Sequence, residues 1–146
     1  MLGNKKRKLI NTNLKKIEYN KKCKILLENL RRKVINLDSQ NGYIVSLTSY
    51  GERLKTVWLT IQSIFSQSCK LAKVILWVAY TDKNLINNRL KELEKKGLII
   101  AYCDDILSYK KLIYSVKEYN NFHIITIDND VIYPKNYFKK LIQLHK

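Results

Sequence analysis

The sequence predicts an α/β fold: a Rossmann-like, mostly parallel sheet with helices on both faces, preceded by a basic amphipathic helix. Three observations carry that expectation. Four short apolar runs rich in β-branched residues recur after residue 40, YIVSLT, KVILWVA, LIIAYC and HIITI, separated by stretches with apolar residues at helical spacing. Connections long enough to hold a helix imply right-handed crossovers between parallel strands. The runs are nearly continuous in apolar character, as strands covered on both faces are.

Taken in order, residues 1–38 form a basic helical extension to an α/β domain over 40–146. Twelve Lys and Arg there face only Glu18 and Glu28 among the acids up to Val34, with Leu14, Ile17, Leu26, Leu27, Leu30 and Val34 largely at helical spacing. Such a helix either attaches to an anionic membrane surface or a partner, or packs on the domain edge with its lysines in water. The first strand is Tyr43 to Thr48, followed by a glycine turn over Ser49 to Arg53 and a helix over Leu54 to Gln67. The second strand is Lys73 to Ala79, with Thr81-Asp82 as N-cap of a helix ending near Gly97. Leu98 to Cys103 is the third strand, Ser108 caps a helix to about Tyr119, and His123 to Ile127 is the fourth strand. Pro134 opens a closing helix. Trp58 and Trp77 read as core residues, His123 as structural and His145 as a solvent-exposed terminal histidine.

Composition narrows the class. The 146 residues suit one domain with a real core, and 46% hydrophobic against 27% charged residues exclude a mainly disordered chain. A net charge of +16 suits polyanionic partners, but Lys, Asn and Ile are abundant throughout, so the charge selects no partner by itself. Cys23, Cys69 and Cys103 are widely spaced and read as reduced thiols of a cytoplasmic protein. The N-terminus lacks a signal-peptide pattern, and the longest apolar run, Val74 to Tyr80, falls far short of the roughly 20 residues of a spanning helix.

In open parallel sheets ligands bind beyond the carboxyl ends of the strands, and polar clusters fall there: Thr48 to Arg53, Asp104-Asp105, and Asp128-Asn129-Asp130. No glycine-rich dinucleotide or Walker pattern is present. In extended backbone Asp128 and Asp130 point to one side while Asn129 faces away. Two close carboxylates repel unless a cation lies between them, and hard oxygen ligands suit Mg²⁺ or Mn²⁺ completed by substrate phosphates. Arg53 and Lys110 or Lys111 are the side-chain cations placed to assist a diphosphate.

These segments together resemble a known family. IVSLTSYGERLKTVWLTIQSIFSQS resembles the opening of bacterial family 2-like glycosyltransferases of the GT-A fold, and KVILWVA, GLIIAYCDDILSYKKLIYSVKEY and IITIDNDVIYP resemble the units that follow, the last being the D-x-D motif. The similarity covers about residues 42–146. It implies transfer of a sugar from a nucleotide diphosphate donor to a glycan acceptor in surface polysaccharide synthesis, with Mn²⁺ or Mg²⁺ as cofactor. By the same resemblance Thr48, Ser49 and Tyr50 line the base and ribose pocket, Arg53 lies near the nucleotide, and Asp105 with Lys110 approaches it from the third strand. Asp128 contacts ribose or metal, and Asp130 ligates the metal.

Two departures from the family pattern stand out. Many relatives carry an aspartate at the end of the second strand, where this chain has Val78-Ala79-Tyr80, and Asp82 is the nearest acid. Sixteen residues follow Asp130, and none is Asp or Glu. The expectation is therefore the donor-binding half of the enzyme, without its general base: a fragment, a piece of a split enzyme or a form lacking turnover. Its open sheet edge is expected to expose apolar surface. A basic nucleic-acid-binding protein and an aspartate-dependent phosphoryl-transfer enzyme are the competing classes. The first leaves the acidic clusters at the ligand edge unexplained, and the second expects the aspartate pair after the first strand.

Overall fold

Each apolar run of the sequence becomes a strand. A computed structural model describes residues 15–25, 28 and 37–145. In it the runs are β1 (Tyr43–Thr48), β2 (Lys73–Ala79), β3 (Leu98–Cys103) and β4 (His123–Thr126), all parallel and in the order β3-β2-β1-β4. The helices are α1 (Val57–Phe65), α2 (Asn88–Glu94), α3 (Lys110–Glu118) and α4 (Tyr137–His145). The chain steps outward from β1 to β3, then returns to the other side of β1 as β4. That reversal places a topological switch point between β1 and β4, where a crevice opens in sheets of this Rossmann-like kind.

Side-chain alternation sorts the strands into two faces. Val45, Leu47, Val74, Leu76, Val78, Leu98 and Ile100 form one core with α1, with Leu90 and Leu93 of α2 and with Phe138 of α4. Ile44, Ile75, Trp77 and Cys103 form the second with Tyr114 of α3. The two tryptophans lie in the core as expected, Trp58 in the first and Trp77 in the second. From Tyr109 into α3, the residues Tyr109, Leu112, Ile113 and Val116 recur at i, i+3, i+4 and i+7 and are exposed, an apolar stripe on the outward side.

The local starts and stops differ from the sequence expectations for identifiable reasons. Thr81-Asp82 does not cap a helix; it lies in a 3-10 turn, Tyr80–Leu85, and α2 is capped by Asn87, whose Oδ1 accepts from the Leu90 N–H at 3.1 Å. Ser108 falls inside a 3-10 turn, Leu107–Tyr109, ahead of α3, which has no side-chain cap. Pro134 does not open α4, because its carbonyl is taken by Gln67 Nε2 at 2.9 Å and by the Tyr137 N–H at 2.9 Å, so the helix starts only at Tyr137. β4 stops at Thr126 because Asp-Asn-Asp favours a turn over extended backbone. Of the extension expected over 1–38, residues 15–25 are helical and set Cys23 against the first core. Leu37 instead pairs with Leu71 as a parallel bridge, and the rest lies outside the described residues. No helix among the described residues is long and apolar enough to cross a membrane.

Candidate functional site

A cleft of about 660 Å³ opens at the carboxyl edge of the sheet, over the β1/β4 switch point. It takes Thr48, Tyr50, Gly51 and Arg53 from the loop after β1, Thr81 and Asp82 from the turn after β2, and Asp105, Leu107, Ser108, Lys110 and Lys111 from the β3–α3 junction. Ile127, Asp128, Asn129 and Asp130 complete it beyond β4. The site residues expected from sequence are thus gathered in one place, with one exception. Ser49 is fully buried, its hydroxyl has no hydrogen-bond partner among the described residues, and it does not line the cleft.

The Asp-Asn-Asp segment is a turn, and while Asp128 and Asp130 both line the cleft, the expected orientation of Asn129 is overturned. Asn129 does not face away: its Nδ2 donates to the Thr48 carbonyl at 2.9 Å and its Oδ1 accepts from Arg53 Nη1 at 3.3 Å. Within the protein, each aspartate lies beside a different cationic side chain. Asp128 Oδ1 accepts from Lys111 Nζ at 2.9 Å, and Asp130 Oδ2 lies 3.7 Å from Arg53 Nη1. Their mutual repulsion is relieved by two different side chains. Asp82, which the sequence marked only as the nearest acid, accepts from the Gly51 N–H at 3.1 Å and so holds the β1 loop, where Gly51 has φ +49°. Every carboxylate lining the cleft lies beside its own cationic side chain or backbone N–H.

Helix α1 grips the turn from below. Thr60 and Ser63 of α1, whose residues are all buried, and Gln67 just beyond its end are buried at i, i+3 and i+7, a polar stripe. Thr60 Oγ1 donates to the Asn129 carbonyl at 2.9 Å, Ser63 Oγ accepts from the Tyr133 N–H at 3.0 Å, and Gln67 Oε1 accepts from the Phe138 N–H at 3.2 Å. The Tyr133 hydroxyl in turn accepts from the Asp128 N–H at 3.2 Å. Burial raises the Tyr133 phenol above its usual range, so it stays protonated at neutral pH.

Helix α3 brings the lysines. Lys110 is 1% exposed and forms an ion pair with Asp105, which holds the Asp105 carboxyl below the usual carboxylate range, helped by the Leu107 N–H. Leu107 has φ +58°, a conformation a branched side chain seldom adopts. Lys111 reaches over the end of β4 and also donates to the Ile127 carbonyl at 3.0 Å. A buried chain fixes the helix: Trp77 Nε1 donates to Ser115 Oγ at 2.8 Å, Ser115 to Ser46 Oγ at 2.8 Å, and Ser46 to the Lys111 carbonyl at 2.6 Å. Behind this junction the Cys103 thiol is pushed up to about 11 by burial.

The donor set decides which ions fit. Among the described residues no three His, Cys, Asp or Glu side chains are grouped to hold a metal. Asp128 and Asp130, with side chains 73% and 66% exposed, carry hard carboxylate oxygens of the kind Mg²⁺ or Mn²⁺ commonly takes from protein, one or two at a time, when phosphate and water fill the other positions. Sequence reasoning missed the roles of Asn129, Asp82 and Leu107. Only Asn129 carried a signal, since Asp-Asn-Asp is a turn sequence. Compared with known proteins, the chain matches no family model, no curated protein and no solved structure.

Proposed function

We propose that the cleft binds a nucleotide diphosphate sugar with Mg²⁺ or Mn²⁺, and that the chain is the donor-binding part of a glycosyltransferase of GT-A type acting on a glycan acceptor. The observation that carries this reading is the pairing of Asp128 with Lys111 and of Asp130 with Arg53 at the switch point. Two carboxylates for an ion and two side-chain cations for a diphosphate stand side by side, each neutralising the other. With a metal-bound diphosphate, Asp128 and Asp130 would hold the ion, and Lys111 and Arg53 would donate to phosphate oxygens. Bound metal would stabilise the departing diphosphate. Tyr50 stands 53% exposed at the rim with the Arg53 guanidinium 5.3 Å from its ring, available to stack on a base.

Lys110 has a different part from the one expected of it. Sealed beneath Asp105, it shapes the β3–α3 junction, and Lys111 is the lysine that meets the nucleotide. The proposal assigns donor binding to these residues and assigns no general base. It also keeps the protein on the cytoplasmic side, where nucleotide sugars are made, with the basic helix available to an anionic membrane surface. Four carboxylates in the cleft oppose a nucleic-acid backbone there.

Titration calorimetry with UDP, GDP and their sugars, with and without Mn²⁺, tests the reading. Metal-dependent binding is expected, abolished by Asp130→Ala and weakened roughly 10–100-fold by Lys111→Gln, the loss of one charge-assisted contact. Metal-independent binding, or none in a folded protein, overturns it.

A further inference from the structure

The only two histidines of the chain, 22 residues apart in sequence, meet at the opposite end of the sheet from the cleft. His123 opens β4 and His145 ends α4, and their ring centres are 4.8 Å apart with the planes at 64°. Two imidazoles that bind one ion at adjacent positions, with metal–nitrogen distances of about 2.0–2.1 Å, have ring centres about 4.5–5.2 Å apart. The observed separation lies in that range. We propose that His123 and His145 chelate a single borderline transition ion of the Zn²⁺, Ni²⁺ or Cu²⁺ class, clipping the last turn of α4 to the start of β4.

Tyr43 supplies the supporting contact that such sites use. Its hydroxyl oxygen lies 2.9 Å from His145 Nδ1, which engages that nitrogen and leaves Nε2 as the one open to a ligand. A partner on the second nitrogen is how metal-binding histidines are usually oriented. The Tyr43 ring also stacks on His123, with centres 4.9 Å apart, and holds it beside its partner. No hydrogen bond engages the ring nitrogens of His123 among the described residues, and both histidines are exposed, so an ion and its waters have access. A hollow of about 210 Å³ adjoins the pair, walled by Ile124, Ile125, Leu141 and Ile142. No carboxylate lines it, so hard cations such as Mg²⁺ have no oxygen ligand to prefer, whereas imidazole suits the borderline ions. This site is chemically separate from the aspartates of the cleft and does not depend on how the cleft is used.

The test is Ni²⁺ titration of the full chain, followed by calorimetry and thermal unfolding, with Cu²⁺ electron paramagnetic resonance as the second readout. One ion per chain is expected, with a melting temperature that rises with ion concentration and a Cu²⁺ spectrum showing two imidazole nitrogens. His123→Ala and His145→Ala should each abolish the two-nitrogen signal. His123→Gln and His145→Gln guard against misfolding, since both residues are exposed and glutamine is tolerated there. Tyr43→Phe should keep the signal but lower the affinity about 10–100-fold, as loss of an orienting contact does. Absence of Ni²⁺ binding in the folded chain overturns the proposal, as does binding that survives in the double histidine variant, which would place the ion on the cysteines. A spectrum with one nitrogen also overturns it.

Discussion

The two faces of the sheet are built on different principles, and the difference explains where precision is needed. The face under α1, α2 and α4 holds a large apolar core, while the face under α3 is thinner and is threaded by a buried polar chain from Trp77 through Ser115 and Ser46 to the Lys111 carbonyl. Apolar packing is non-directional and tolerates small slips. A hydrogen-bonded chain fixes both the rotation and the height of a helix on the sheet. The helix so fixed is the one whose first two residues, Lys110 and Lys111, enter the cleft. One face secures the fold and the other sets the register of the site.

Substitutions on the two faces should therefore separate stability from affinity. Leu76→Ala, fully buried in the larger core, should cost about 2–5 kcal/mol in urea unfolding, from lost transfer energy and the cavity left behind. Nucleotide affinity of the folded protein should stay near that of the parent. Ser115→Ala should cost less, about 1–3 kcal/mol, because it leaves the buried Trp77 indole N–H without its acceptor and the Ser46 oxygen without its donor. Yet it should weaken metal-dependent nucleotide binding, since α3 loses its register. If Leu76→Ala damages affinity more than Ser115→Ala does, the division between the faces is wrong.

The legibility of the sequence divides along the same line. The strands, their parallel order in the chain and the location of the ligand edge follow from apolar runs and their spacing, because burial of such runs has few solutions. Thr48, Tyr50, Arg53, Asp105, Lys110, Asp128 and Asp130 reach the cleft because all of them follow strand ends. What the pattern could not convey is pairing. That Lys110 is buried against Asp105 while Lys111 bonds Asp128 depends on which way α3 is rotated, and that is set by contacts between Ser115, Ser46 and Trp77, which are far apart in sequence. The grip of Thr60, Ser63 and Gln67 on the Asp-Asn-Asp turn is hidden for the same reason, since a polar stripe on a helix ordinarily signals a solvated face.

Acid should act on the α3 face before the larger core. Asp105 has its pKa lowered by Lys110 and by the Leu107 N–H, so folding binds its proton more weakly than the unfolded chain does. Its stabilising contribution is thus present above the ordinary aspartate value, about 4, and is lost as pH falls through the lowered folded value. The effect is small because the carboxylate is half exposed. Thermal unfolding across that acid range should show a shallower loss in Asp105→Asn than in the parent. Parallel curves would mean that the ion pair does not respond to protonation of Asp105.

The smallest effect expected concerns Leu107, and its sign is informative. At φ +58° a leucine stores about 1–2 kcal/mol of backbone strain, and this one is 71% exposed, so little packing is lost on removing its side chain. Leu107→Gly relieves the strain but loosens the unfolded chain, which costs about 0.4–1 kcal/mol. The net should be a gain of roughly 0–1.6 kcal/mol in stability. If the strained residue instead keeps the β3–α3 junction in the one geometry that sets Asp105 on Lys110, nucleotide affinity should fall even as stability rises. A variant that gains stability with unchanged affinity would show the left-handed residue to be incidental to the cleft, and the register of α3 would then rest on the Trp77, Ser115 and Ser46 chain alone.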